Sequence, residues 1–216
     1  TRLGGQIEKT ETWGRRRLAY EIGPHKEGVY VLEVINGSGA LMKELDRRLK
    51  VIPDVAESWT VTPDGKSYTF KLRTNAKFHD GRAVTSQDFI YSFERATDPK
   101  LGSTTADTYL GDIAGVLDKL SGKSQSVAGI KATDPHTLQI DLEGPRAYFL
   151  AKLQYPTAYV VDKANVESGK TWTEKPNGTG PYNLTEWRLG ERITLTANDK
   201  FYLGTPKLKE AVYLLS

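Results

Sequence analysis

The chain has 216 residues, of which 38% are hydrophobic and 26% charged, with a formal net charge of +3 and no cysteine. That composition is ordinary for a globular protein long enough to bury a core. It excludes a disulfide framework, a thiolate zinc site and a thiol nucleophile. The net charge is concentrated at one end. Residues 1–50 hold ten Lys or Arg against seven Asp or Glu, and residues 51–216 hold twenty of each. This asymmetry points to two segments with different histories and different partners. No apolar run approaches the roughly 20 residues that cross a bilayer, so no transmembrane segment is expected. The residues from Thr1 onward do not read as a basic and apolar leader, so a signal peptide is expected to have been removed or never to have existed, and no fixed-period repeat is seen.

Residues 6–22 are polar and β-rich, and Leu18, Tyr20 and Ile22 alternate as in a half-buried strand. Turn chemistry spans Glu21 to Gly28, and a second strand is expected over Val29–Ile35. Ser38 then caps a helix through Leu41, Met42, Leu45 and Leu49, whose basic end suits the helix dipole. Pro53-Asp54 stops that helix. The run Trp59-Thr60-Val61, the turn Thr62-Pro63-Asp64-Gly65 and the strand Ser67–Arg73 form a hairpin, because Asp-Gly between alternating apolar runs is a strong hairpin signal.

Thr85 caps a helix through Phe89, Ile90, Phe93 and Ala96, with Asp88 reaching back to the free amides. A further helix is expected near 105–120. A second hairpin runs from Val127 to Leu142 and turns at Asp134-Pro135, and Pro145 opens a short helix with Phe149 and Leu150. A third hairpin runs from Tyr182 to Ala197 and turns at Leu189-Gly190-Glu191. The final strand, Ala211–Leu215, has no partner evident from the sequence. Hairpins interleaved with helices give an α+β fold with a mixed, largely antiparallel sheet and packed helices.

Residues 52–216 resemble the extracytoplasmic solute-binding proteins of peptide ABC importers, the oligopeptide and dipeptide binding family. The resemblance rests on Pro53-Asp54-Val55-Ala56-Glu57-Ser58-Trp59, Asp64-Gly65, Tyr68–Arg73 and Lys77-Phe78-His79-Asp80-Gly81. It continues through Thr85–Arg95, Gly180-Pro181-Tyr182 and Glu186-Trp187, in the family's order. It implies one lobe of a periplasmic-binding-protein fold, peptide transport and no catalysis. In that family a second lobe follows, and the cleft between the lobes holds the peptide. The resemblance stops near the crossover and lacks the family's usual opening strand, so weak or lost peptide binding is expected.

Residues 1–51 resemble ribosomal small-subunit protein six through Leu3-Gly4-Gly5, Glu11–Ile22, His25–Leu32 and Leu41–Leu49. This implies the strand-strand-helix part of a ferredoxin-like fold, from a protein that binds ribosomal RNA and a neighbouring protein. The strand Ser58–Val61 is a candidate for that fold's last strand. The two resemblances together point to a built or recombined chimera, with a natural fusion as the alternative; a scaffold with no ligand is a further reading. The compartment is periplasmic or cell-surface if the larger segment decides it, and cytoplasmic if the first does.

Two candidate sites follow. Arg15, Arg16 and Arg17, with His25 and Lys26, are candidates for RNA phosphates, against the plainer reading of a strand edge kept soluble by charge. The loop residues Asn177, Gly178, Thr179, Gly180 and Tyr182 are candidates for a short peptide's main chain, since glycines permit close approach; they also simply permit turns. No Gly-Lys-Ser/Thr follows that loop, so it is not a phosphate loop. His25, His79 and His136 are scattered, so no metal and no cofactor are expected. His79-Asp80-Gly81 reads as a turn in which Asp80 bonds local amides. No serine sits in a nucleophile elbow, and no catalytic residue is assigned. Unpaired strand edges make self-association a possibility to test.

Overall fold

A computed structural model describes residues 6–22, 25–36, 55–169 and 171–214. The chain forms two compact units, Thr1–Lys50 and Val51–Ser216. In the first unit, β1 (Gln6–Ile22) and β2 (His25–Asn36) pair antiparallel. Arg16 lies opposite Gly28 and Arg17 opposite Glu27. The ladder therefore runs through residues expected to form the turn, and only residues 23 and 24 separate the strands. The expected helix over 38–49 lies outside the described residues.

The second unit begins with β3 (Ala56–Val61) and β4 (Ser67–Leu72), the hairpin expected around Asp64-Gly65. Gly65 takes φ +69°, which a side chain resists. The Asp64 carboxylate accepts bonds from the Thr62 hydroxyl (2.6 Å) and the Lys66 amide (3.1 Å), fixing the turn. The second hairpin, β5 (Ile130–Asp134) with β6 (Thr137–Asp141), joins the first through β4–β6 pairing. The result is a four-stranded sheet in the order β3-β4-β6-β5. The stretch 58–61, a candidate last strand for the first unit, is bonded to β4 here.

Helix α1 (Ser86–Ala96) starts where expected. Asp88 accepts the Thr85 amide at 2.8 Å and the Thr85 hydroxyl at 3.0 Å, so a donor left free by the helix start is satisfied. Phe89 and Phe93, four residues apart, share the inward face and meet edge-on at 6.4 Å. They pack with Phe70 and Leu72 of β4, Leu138 and Ile140 of β6, Phe78, Val84 and Phe149 in one core.

The helix expected near 105–120 is two short ones, α2 (Ala106–Leu110) and α3 (Val116–Leu120). Gly115 separates them at φ +81°, and a Cβ there would lie 2.9 Å from the Ala128 amide nitrogen. Helix α4 (Phe149–Lys152) begins four residues after Pro145, and α5 (Lys163–Glu167) precedes the candidate loop. The third hairpin, β7 (Tyr182–Arg188) and β8 (Arg192–Ala197), turns at Gly190. The last strand, β9 (Glu210–Leu214), pairs antiparallel with β8, giving a three-stranded sheet β7-β8-β9. Among the described residues every pairing in a sheet is antiparallel, in an α+β arrangement.

Candidate functional site

The loop 177–182 is held by a tight turn nearly a hundred residues earlier in the chain. Gly81 takes φ +96°, the Gly81 amide donates to the Phe78 carbonyl (2.9 Å), and the Phe78 amide to the Arg82 carbonyl (2.8 Å). Asp80 accepts the Arg82 amide at 3.0 Å, the local bonding its sequence suggested. Phe78 is buried as the anchor of this turn, and the Arg82 guanidinium lies 4.4 Å from the centre of its ring.

So anchored, His79 reaches the candidate loop twice. Its amide donates to the Gly178 carbonyl (2.8 Å), and its Nε2 lies 3.0 Å from the Gly180 carbonyl oxygen. A carbonyl can only accept, so Nε2 carries the proton. Nδ1 is buried with no hydrogen-bond partner among the described residues. The Asp80 amide donates to Asn177 Oδ1 at 3.0 Å. Asn198 holds the far side, with its side chain donating to the Gly180 carbonyl (3.2 Å) and its amide to the Pro181 carbonyl (2.8 Å).

Asp162 ties this loop to α1. Its side chain is 5% exposed; one oxygen accepts Arg82 Nη2 at 2.7 Å and the other accepts Asn177 Nδ2 at 2.8 Å. Arg82 also forks onto Asp88, with bonds of 3.1 and 2.9 Å, and so reaches the residue that caps α1. Burial pushes the Asp162 carboxyl up, but the bonds from Asn177 and Arg82 outweigh it and hold the group below its ordinary value. The bond to Asp88 raises Arg82 further above its already high value. Asn165 completes the frame by accepting the Asn177 amide at 3.0 Å.

The structure therefore gathers Asn177, Gly178 and Gly180 into one clasped loop, with Thr179 between them. Asn177 is spent on internal bonds. The Tyr182 hydroxyl donates to the Leu208 carbonyl at 3.1 Å, so this residue serves the three-stranded sheet. Sequence reasoning missed Asp162, Asn165 and Asn198, whose partners lie at no periodic spacing. Arg15, Arg16 and Arg17 fall on consecutive register positions of β1, so at most two share a face, and His25 and Lys26 open β2. Among the described residues no group of three or more His, Cys, Asp or Glu is arranged to hold a metal. No helix among them is long and apolar enough to cross a membrane.

Residues 50–216 match the bacterial extracellular solute-binding proteins, family 5. The chain belongs to that family. Residues 1–62 match ribosomal protein S6, so the two matches overlap over 50–62. The periplasmic oligopeptide-binding protein OppA of Escherichia coli is 40% identical over 190 residues, covering 84% of this chain and 34% of its own length. The dipeptide-binding protein DppE of Bacillus subtilis is 36% identical, over 69% of this chain and 28% of that protein. The unliganded open form of the murein tripeptide-binding protein MppA superposes with a TM-score of 0.69 at 36% identity, over 75% of this chain and 32% of MppA. OppA of Haemophilus influenzae in complex with the peptide RPPGFSPFR gives 0.69 at 29% identity, over 74% and 33%. The chain thus spans about a third of the length of these family 5 relatives.

Proposed function

We propose that residues 52–216 serve as part of a peptide-binding protein of an ABC importer, and that the loop 177–180 lies against the peptide. The reading is carried by the clasp of His79, Asp80 and Asn198, which fixes the glycine-rich backbone of the loop in place. Relatives named for oligopeptides, dipeptides and murein tripeptides support the substrate class. The role is capture and delivery without catalysis, and the 216 residues by themselves hold a peptide weakly, since they correspond to about a third of a relative that binds one. Titration calorimetry of this chain with short peptides is expected to give a Kd of about 1 mM or weaker. Micromolar binding would overturn the weak-binding reading.

The match of residues 1–62 to ribosomal protein S6 favours a second activity. We propose that residues 1–51 form a ribosomal-protein-like strand-strand-helix segment, joined as a chimera to the solute-binding segment 52–216. Its basic residues Arg15, Arg16, Arg17, His25 and Lys26 attract RNA through phosphates. At low salt a gel shift is expected to retain RNA, and Ala at 15, 16 and 17 to weaken retention with a shallower salt dependence. No retention at low salt removes this reading.

A further inference from the structure

We infer that a recess at the end of α1 binds a small carboxylate carrying a short apolar chain, and that Arg95 receives the carboxylate. The recess lies within the solute-binding unit, and among the described residues none of the loop 177–180 lines it. It therefore stands apart from the peptide-binding reading.

The recess follows from where the chain stops and turns. Helix α1 ends at Ala96, where the buried Thr97 hydroxyl donates to the Phe93 carbonyl (2.7 Å), and Pro99 has no amide with which to continue. Asp98 accepts the Lys100 amide at 2.8 Å and opens a single helical turn, Pro99–Leu101. A second such turn, Pro156–Ala158, is drawn in by the Thr105 and Thr157 hydroxyls, 2.8 Å apart. Between α1 and these two turns is a volume of about 150 Å3. An apolar cavity of about that size holds a benzene molecule, and butyrate has as many non-hydrogen atoms.

Arg95 is half-buried, and among the described residues its guanidinium has neither a hydrogen-bond acceptor nor an ion-pair partner. It lies 5.4 Å from the centre of the Trp172 ring, which attracts the charge but takes no N–H into a lone pair. Other cations of this unit are matched, Lys119 to Glu94, Arg146 and Lys152 to Asp112, and Arg192 to Glu186. The acids beside Arg95 in sequence are spent, Glu94 on Lys119 and Asp98 on the Lys100 amide. No Asp or Glu lines the recess. A guanidinium partly withdrawn from water, with its fork of donors unused, is matched best by a planar carboxylate.

The rest of the lining sets the shape of the ligand. Ser92 and Tyr159 spend their hydroxyls on the Asp88 and Gln154 carbonyls. Ser103, Thr105 and Thr157 form a row with hydroxyl separations of 3.5 and 2.8 Å. Three hydrogens serve two contacts there, so at least one is left for a ligand, and both end members, Ser103 and Thr157, line the recess. The remaining walls include Ala96, Leu101, Pro156 and Val161, which suit a hydrocarbon chain and offer nothing to an anion hydrated on every side.

The test is an NMR titration of the 15N-labelled 216-residue chain at constant ionic strength. The probes are sodium butyrate, its neutral amide butyramide, sodium phosphate, and N-acetylalanine as the carboxylate end of a peptide, each to about 30 mM. Butyrate is expected to move the Arg95 Nε–H signal and the Ser103 and Thr157 amides along one saturable curve, with a Kd of about 5 mM. Butyramide is expected to leave all three in place, and phosphate and N-acetylalanine to bind about tenfold more weakly. Arg95→Gln is expected to abolish the response at Ser103 and Thr157. Thr157→Val, which leaves Arg95 on Trp172 and the rest of the spectrum unchanged, is expected to weaken binding about threefold. The inference is overturned if butyrate moves none of these signals, if butyramide moves them equally, or if the Arg95 variant binds as the wild type does. Phosphate as strong as butyrate overturns the apolar chain, and N-acetylalanine as strong as butyrate overturns the small free acid in favour of a chain end.

Discussion

Replacing Phe93 by Ala is expected to lower the unfolding free energy of the solute-binding unit by about 3–5 kcal/mol, enough to consume much of a typical domain's stability. The side chain is fully buried and meets Phe89 edge-on at 6.4 Å. Its removal forfeits both the transfer of a ring out of water and the contacts of the atoms left lining a cavity. Urea unfolding read by tryptophan fluorescence should show an earlier midpoint with an unchanged slope. Leu189→Ala is the contrast. Leu189 is 88% exposed at the tip of the third hairpin, and its loss should stay within about 0.5 kcal/mol. Equal effects at the two positions would mean that α1 is not packed as described.

Asp162→Ala is expected to cost about 2–3 kcal/mol. It strips the side chain of Asn177 of its acceptor and leaves Arg82 with Asp88 alone. The figure sits below that for a fully enclosed pair because the Arg82 side chain is 40% exposed and water takes up part of the loss. The effect also depends on pH. The folded protein holds the Asp162 carboxyl below its ordinary value, so this stabilisation is present above the unfolded group's value and is lost as the pH falls through the folded one. The gap between wild type and variant should therefore be full at pH 7 and close as the pH drops below about 4. Hydrogen exchange at the Asp80 amide, which depends on Asn177 staying in place, should quicken in the variant. Unchanged exchange there would separate Asp162 from the loop.

The elements that the sequence revealed are those whose instructions are local. Asp64-Gly65, Asp134-Pro135 and Gly190 mark the three hairpins because turn backbone admits few residue types, and Gly65 and Gly190 do take positive φ. Thr85 and Asp88 mark the start of α1 because a helix start needs acceptors within three residues. Distant pairings were not legible. Nothing in residues 210–214 says that they lie beside β8, and nothing in His79 says that it grips Gly178 and Gly180. The split at Gly115 was missed for a related reason, since the residue that crowds it, Ala128, arrives from beyond α3. Of the candidate peptide residues the sequence named the loop; which of its atoms are already bonded depended on side chains brought in from elsewhere.

The bonds from Asp80 to Asn177 and from His79 to Gly180 span 97 and 101 positions. A growing chain that has emerged only as far as residue 170 holds every residue of its four-stranded sheet and of α1, all of which lie before 142, yet has nothing for His79 to hold. The later segment is then expected to be captured against a surface already formed, after the local hairpins, because contacts of high sequence separation follow local ones. During synthesis the His79 turn is therefore expected to wait as a vacant berth for the stretch around Gly180.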